Sequence, residues 1–175
     1  EMRLYNIRDK EFHVKEDQIK FEEGKKIEKF IFADFIKMIK SLSKSFIDKI
    51  IVVRPHPMEN KEFYEDEFRE YDNIKVIADG SSKEWIVDAE TIIHHDCTTG
   101  VEAFLAKKRV ISFSPYKDND HIIKLPQDIS IKFENVNNII NFLKKGDKDN
   151  LSEIKNKNLK LLELTNNINI EKEKA

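Results

Sequence analysis

The chain has 175 residues, which is the length of one domain or of half of a two-domain enzyme. Charged residues make up 37% of the sequence and hydrophobic residues 39%, so we expect a heavily charged surface. Lys and Arg number 31 against 33 Asp and Glu, which gives a net charge of −2. This near balance removes the bulk electrostatic argument for nucleic acid as a partner.

The single cysteine, Cys97, excludes an internal disulfide framework and a cysteine-based zinc cluster, and it fits a reducing compartment. No apolar stretch approaches the ~20 residues of a membrane span, and no basic-then-apolar leader opens the chain. These features predict a soluble, cytoplasmic protein. Because the chain begins at Glu1 rather than Met, we also expect that a preceding part of the protein is missing.

The first half of the chain alternates helical and extended patterns. Residues 1–24 are polar, show no period and are predicted to be a loop or linker. From Lys25 to Phe46, apolar residues recur at spacings of three and four, which predicts an amphipathic helix. Short apolar runs at Lys49–Val53 and Ile74–Ile77 predict strands, and a helix is predicted between them at Asn60–Tyr71.

The second half continues this alternation. Its predicted elements are a helix over Ser81–Ala89, a strand over Thr91–His94, a helix over Thr99–Lys107, a strand over Arg109–Phe113, an edge strand over Ile129–Phe133 and helices over Val136–Lys145 and Leu151–Thr165. Alternation of this kind predicts an α/β fold, namely a Rossmann-like open parallel sheet with helices on both faces. We assign residues 25–165 to this domain and residues 166–175 to a frayed tail.

Ligands of an open parallel sheet bind beyond the carboxyl ends of its strands. Three polar clusters follow predicted strands here, at Arg54–Pro57, Asp79–Ser82 and His95–Gly100. In one parallel sheet all three would face the same crevice. The sequence contains neither G-x-G-x-x-G nor G-x-x-x-x-G-K-[ST], which argues against a standard dinucleotide fold and a P-loop enzyme.

The first cluster places His56 between Pro55 and Pro57. Each proline fixes its own φ and favours an extended residue before it, so the imidazole leaves the strand on a stiff backbone. A preorganised proton donor of this kind suits an anionic leaving group, and the Arg54 guanidinium could grip a phosphate or carboxylate by two bonds. The alternative is an exposed histidine beside an ion-paired arginine.

In the third cluster, Thr98, Thr99 and Gly100 open a helix directly after a strand. Hydroxyl groups and backbone N–H groups at the positive end of a helix dipole form a phosphate seat, and Gly100 would let a ligand approach the backbone. Alternatively, Thr99 and Glu102 have the spacing of a capping box. Glu102 could instead turn outward to bind vicinal ribose hydroxyls.

Two adjacent histidines, His94 and His95, end the third predicted strand and should point to opposite faces. They cannot easily share a metal, and no spacing in the sequence matches a metal motif, so we expect no metal site. We expect His94 to be buried and hydrogen-bonded, His95 to lie near the crevice, and Cys97 to be a small packing residue.

Several motifs in order resemble bacterial surface carbohydrate biosynthesis proteins. They are the strings VRPHP from Val53, EWI from Glu84, IIHHDCTTGVEAFLA from Ile92 and VIS from Val110. These strings are similar to the C-terminal, donor-binding half of GT-B glycosyltransferases, including capsule Kdo transferases, bacterial sialyltransferases and teichoic-acid glycerophosphotransferases. The resemblance covers about Lys49 to Pro115.

The resemblance implies a role for each matching residue. His56 would contact the donor phosphate and assist departure of the nucleotide. Thr98 and Thr99 would hold the phosphate at the helix start, and Glu102 would bind the ribose. Arg54 would be a second phosphate contact; weaker candidates for substrate binding are Ser81, His95 and Gly100.

The implied function is donor binding in a glycosyltransferase that builds bacterial surface polysaccharide. The substrate would be a CMP- or CDP-linked sugar and no cofactor would be needed. A glycan or lipid-linked acceptor would be held by an N-terminal domain that this chain lacks, and the full-length protein would act at the inner face of the cytoplasmic membrane. The alternatives are a glycerophosphotransferase or nucleotide-sugar epimerase of the same fold, and a non-catalytic nucleotide-binding module.

Overall fold

The computed structural model describes residues 15–116 and 124–146, where helices and strands alternate. The elements are α1 Lys15–Ser45, β1 Ile51–Val53, α2 Lys61–Glu67, β2 Ile74–Val76, α3 Ser82–Asp88, β3 Thr91–His94, α4 Thr99–Leu105, β4 Arg109–Phe113, α5 Lys124–Asp128, β5 Ile131–Phe133 and α6 Val136–Lys145. The predicted helix at Leu151–Thr165 and the predicted tail at 166–175 lie outside the described residues, as do residues 1–14.

All strand pairs in the described ranges are parallel. β1 pairs with β2, and β4 lies between β3 and β5 in a second sheet. The chain is therefore an α/β protein, as predicted, with short parallel strands that are compatible with a Rossmann-like open sheet. It divides into two compact units, Glu1–Gly80 and Ser81–Ala175, and each unit contains one of the sheets. Within its sheet, β5 lies at an edge, as predicted.

The first helix, α1, begins at Lys15 rather than at the predicted Lys25, so the segment Lys15–Gly24 is helical and not a loop. This segment is rich in Lys, Glu and Gln, which have good helix propensity even where no apolar period is visible. Gly24 costs about 1 kcal/mol inside a helix. The long continuous helix that follows tolerates this cost because extending a helix already formed is favourable. None of the helices in the described ranges is long and apolar enough to cross a membrane.

The core of the first unit comes from one side of α1, together with β1, α2 and β2. Its buried apolar residues are Ile31, Ile36, Met38, Ile39, Leu42, Val53, Tyr64, Phe68 and Ile74. Those of α1 follow the predicted stripe at Ile31, Met38 and Leu42, whereas Phe35 and Phe46 are half-buried. Burial of this apolar stripe stabilises the packed position of α1 in the unit.

Asn73, directly before β2, joins the end of α1 to the sheet. Its Nδ2 donates to the carbonyl oxygens of Ser43 at 3.2 Å, Phe46 at 3.0 Å and Lys49 at 3.1 Å. Its Oδ1 accepts a hydrogen bond from the Ser43 hydroxyl. The last carbonyl groups of a helix have no partner within the helix, so this one amide supplies donors at the end of α1 and in the turn that follows, where the Phe46 carbonyl also accepts from Lys49 N–H at 3.1 Å.

In the second unit, α3 and α4 pack on the sheet through a small apolar cluster. Its buried members are Ile86, Ala103 and Val110, with Ile92 and Phe104 packed against them. The central strand β4 is almost wholly buried, as a strand covered on both faces should be. Sequence reasoning missed α5, which lies between β4 and β5 and buries Pro126 and Gln127. Five residues that include a proline show no helical period.

We predict that replacing Asn73 by Ala lowers the free energy of unfolding by about 2 to 3 kcal/mol, because several main-chain carbonyls lose their donor together. Urea unfolding followed by circular dichroism measures this change. The neighbouring exposed residue supplies the control: Asp72→Ala should change stability by less than about 0.5 kcal/mol. Equal stability of the Asn73→Ala and Asp72→Ala variants would contradict the role given to Asn73.

Candidate functional site

The loops that follow β1 and β2 meet in the first unit, as predicted for neighbouring parallel strands. Arg54 Nη1 donates to the carbonyl oxygen of Asp79 at 2.6 Å, and Nη2 donates to that of Gly80 at 2.8 Å. Gly80 has a φ of 78°, a conformation that favours glycine. Two of the five guanidinium N–H donors therefore hold the turn after β2. The sequence predicted a phosphate contact for Arg54 and did not predict this structural role.

His56 is exposed and lies in a tight turn with Glu59. The Glu59 backbone N–H donates to the His56 carbonyl oxygen at 2.8 Å, and the His56 backbone N–H donates to Glu59 Oε2 at 2.7 Å. Met58 N–H then donates to His56 Nδ1 at 3.2 Å. These three bonds connect the imidazole and its backbone to the same four-residue turn.

The bond to Nδ1 determines which tautomer the neutral His56 ring adopts. A backbone N–H can only donate, so Nδ1 is the acceptor and the ring proton lies on Nε2. The ring thus presents an N–H donor on the side away from its own turn. This arrangement matches the proton-donating role that the sequence suggested for His56.

In the second unit, the starts of α3 and α4 are joined by a side-chain hydrogen bond. Ser82 Oγ donates to Glu102 Oε2 at 3.1 Å. Ser81 is the N-cap of α3, and its Oγ accepts from Lys83 N–H at 3.3 Å. The structure thus gives Ser81 a capping role and brings Ser82, which the sequence did not single out, to the carboxylate of Glu102.

The predicted capping box between Thr99 and Glu102 does not form. Thr98 is the N-cap of α4, has helical backbone angles and makes no side-chain capping bond. Cys97 acts instead: its Sγ accepts from Thr99 N–H at 3.4 Å, and the thiol donates to Thr99 Oγ1 at 3.2 Å. Because Glu102 bonds Ser82 and the sulfur caps the helix, the Thr98 hydroxyl is not used for capping.

His94 is buried, as predicted, and both of its ring nitrogens are hydrogen-bonded. The Ser130 hydroxyl donates its only proton to the Pro126 carbonyl at 2.6 Å, so it must accept from His94 Nε2–H at 2.8 Å. Nδ1 accepts from Cys97 N–H at 3.4 Å. Burial, and after it charge repulsion from His95, lowers the pKa of His94 to about 4. His94 is therefore a neutral structural residue at neutral pH.

The His94 ring also explains Gly100, the second residue of α4. A Cβ at Gly100 would lie 2.4 Å from His94 Nε2 and 2.8 Å from each of two ring carbons. Gly100 is buried, so its lack of a side chain makes room for the imidazole. The sequence suggested that a ligand approaches here, but the group that approaches is a side chain of the same unit.

His95 is half-buried, and its ring is held in the opposite tautomer to that of His56. Its Nδ1 lies 3.0 Å from the Phe113 carbonyl oxygen, which can only accept. The proton is therefore on Nδ1, and Nε2 of the neutral ring carries a lone pair. The next residue, Asp96, has a φ of 51°, so the chain turns sharply at the end of β3.

The predicted site residues are divided between the units. Arg54 and His56 belong to the first unit, whereas the second contains Ser81, His95, Thr98, Thr99, Gly100 and Glu102. Glu59 was missed, although its position three residues after His56 is the spacing of a reciprocal backbone contact. Within residues 15–116 and 124–146, no group of three or more His, Cys, Asp and Glu residues could hold a metal ion.

None of the protein-family models, curated proteins or solved structures compared with this chain matches it. The candidate site is therefore defined by its own geometry.

We predict that the free energy of unfolding falls as the pH is lowered from about 6.5 to 4. The unfolded chain takes up a proton on His94 near its ordinary pKa of 6.5, whereas the folded chain does so only near 4, so stability is lost across this window by up to about 3 kcal/mol. Urea unfolding at a series of pH values measures the slope. His94→Gln keeps a donor for Ser130 and should lose this part of the slope; an unchanged slope would contradict the assignment.

We predict that Gly100→Ala destabilises the protein by about 2 to 3 kcal/mol, because the new methyl group overlaps the buried His94 ring. In a His94→Ala background the overlap is gone, and the same substitution should stabilise the protein because alanine favours helix over glycine by about 1 kcal/mol. A double-mutant cycle from urea unfolding measures this reversal. The same loss in both backgrounds would show that the ring is not the cause.

Proposed function

We propose that this chain binds the nucleotide of an activated sugar and is the donor-binding part of a glycosyltransferase for bacterial surface polysaccharide. The observation that carries the proposal is His56, an exposed imidazole whose turn directs its proton to Nε2. The parallel α/β fold supports it, since polar residues follow β1, β2 and β3, where such folds bind ligands. The motif resemblance supplies the substrate class.

His56 would have one chemical task, which is to donate a hydrogen bond or a proton to the leaving phosphate. In sugar transfer, the bond from the anomeric carbon to the phosphate oxygen breaks, and a bond from the acceptor oxygen to that carbon forms. Negative charge develops on the departing phosphate, so an N–H donor that is already oriented stabilises the transition state more than the ground state. The Nε2–H of His56 would supply this hydrogen bond, or the proton itself.

In the second unit, Thr98 and Thr99 would contribute the phosphate contact at the start of α4. Support comes from the Thr98 hydroxyl, which is on an exposed residue and takes no part in capping. Glu102 would bind the ribose hydroxyls: one of its oxygens accepts from Ser82, and a carboxylate has acceptor capacity for several hydrogen bonds. Ser82 thereby orients the carboxylate.

The remaining predicted contacts take narrower roles in this proposal. Arg54 shapes the loop after β2 through its two carbonyl bonds, and Gly100 admits the His94 ring. Ser81 caps α3. His95 would accept a hydrogen bond from a ligand N–H or O–H group through Nε2, because Nδ1 donates to a main-chain carbonyl.

The acceptor and the base that activates it would belong, by the resemblance, to a facing N-terminal domain. The acceptor would be a glycan or a lipid-linked glycan, and the full-length protein would work in the cytoplasm at the inner face of the membrane. No metal and no cofactor is part of this proposal, because the leaving nucleotide is stabilised by side chains.

We predict that the chain binds CMP or CDP more tightly than UMP or UDP in isothermal titration calorimetry. His56→Ala and Thr98→Val should each weaken binding about tenfold, the loss of roughly one charge-assisted hydrogen bond. Thr91→Val is the matched control, since Thr91 lies at the opposite end of β3 from Thr98, and it should bind as the wild type does.

The proposal would be wrong if none of the four nucleotides bound, or if His56→Ala, Thr98→Val and Thr91→Val all bound alike. Binding of CDP-glycerol in place of CMP-sugars would redirect the same site toward glycerophosphate transfer.

A further inference from the structure

Glu59 and His56 form a reciprocal pair, and this pair contains more contacts than a simple turn requires. Glu59 receives the His56 backbone N–H on its carboxylate and gives its own N–H to the His56 carbonyl. A hydrogen-bonded turn of four residues needs only the second of these bonds. The carboxylate bond therefore adds a charge-assisted contact, which is about twice as strong as a neutral one.

The charge of Glu59 acts on Tyr64, a buried residue of α2. Burial raises the pKa of the Tyr64 hydroxyl, and the negative charge of Glu59 raises it further, so the phenol stays protonated. The Tyr64 ring packs against Phe32, Phe63 and Phe68 at centroid distances of 5.7, 5.7 and 6.4 Å. A side chain enclosed by three aromatic rings has little freedom to move.

The hydrogen bonds connect the Glu59 carboxylate to the reactive ring. The connection runs from the carboxylate to the His56 backbone, and by Met58 N–H to His56 Nδ1. If the turn loosens, the Met58 contact weakens, and then either ring nitrogen can carry the proton.

We propose that Glu59 is a positioning residue that keeps His56 as an Nε2–H donor toward its ligand. The proposal rests on the proposed function for the identity of that ligand, a nucleotide phosphate. The fixed tautomer itself is independent of any ligand. Glu59 does not contact the substrate; it acts through the backbone of the histidine.

The experiment compares Glu59→Ala and Glu59→Gln with the wild-type chain. Glu62→Ala is the matched control, because Glu62 is an exposed glutamate in the first turn of α2. Long-range proton–nitrogen correlation spectra identify the protonated nitrogen of the His56 ring, and hydrogen exchange reports on the His56 and Met58 amides. Calorimetry with CMP and CDP reports on ligand binding.

For Glu59→Ala we expect a mixed His56 tautomer, exchange of both amides faster by about tenfold or more, and nucleotide binding weaker by roughly fivefold to tenfold. Glu59→Gln keeps a carbonyl acceptor and should restore most of the Nε2–H tautomer. Glu62→Ala should match the wild type in all three measurements.

A His56 tautomer and amide exchange unchanged in Glu59→Ala would overturn the positioning role, whether or not nucleotides bind. If Glu59→Ala fails to fold, Glu59→Met, which keeps the length of the side chain but has no acceptor oxygen, replaces it, and an unchanged tautomer and amide exchange in that variant overturn the role instead. A shifted tautomer without nucleotide binding in any variant, including the wild type, would support the positioning role and reject the proposed function.

Discussion

The geometry of the second unit depends on one buried, uncharged imidazole. His94 ends β3, and its two nitrogens connect it to Ser130, just before β5, and to Cys97, just before α4. Gly100 lets the ring lie directly against the helix. Since an unpaired polar group in the interior costs about 1 to 3 kcal/mol, the loop from His95 to Thr98 is confined to the path that keeps both nitrogens bonded. Two candidate ligand residues of this unit, His95 and Thr98, are on that loop.

The first unit solves a related problem with different residues. Its strands are only three residues long, so the ladder of backbone hydrogen bonds is too short to determine where the connecting loops go. Polar side chains that bond the backbone take over this task. Asn73 fixes the end of α1, Arg54 fixes the turn after β2, and Glu59 fixes the turn around His56. The position of His56, the candidate catalytic residue of this unit, therefore depends on side-chain hydrogen bonds and not on the hydrogen bonds of the sheet.

Much of the fold could be predicted from the sequence, because alternating helices and strands have clear periods. The strands at Thr91–His94 and Arg109–Phe113 and the helix at Val136–Lys145 have the predicted bounds. The start of α1 differs from the predicted residue, because its first ten residues have helix propensity but no apolar period. The helix α5 was missed because five residues are too few to show a period. These are errors of local pattern, and the tertiary structure alone resolves them.

The candidate site was less predictable, because a motif shows which residue types are present and not what each one contacts. His94 and His95 are adjacent residues of the same type. The sequence predicted that the His94 ring is buried, but only the hydrogen-bond partners in the structure assign the tautomer of each ring. Thr99 and Glu102 have the spacing of a capping box, yet Glu102 accepts a hydrogen bond from Ser82, and the Cys97 sulfur caps the helix. Ser82 and Glu102 are twenty residues apart, a separation that no local pattern can connect.

The opposite tautomers of His56 and His95 determine which kind of ligand atom each ring can bind. With a neutral ring, His56 offers a hydrogen in the first unit, and His95 offers an electron pair in the second, so each suits a different kind of ligand atom. The two residues are of one type, yet the main-chain group that each ring meets decides whether its outer nitrogen suits a ligand atom that accepts or one that donates.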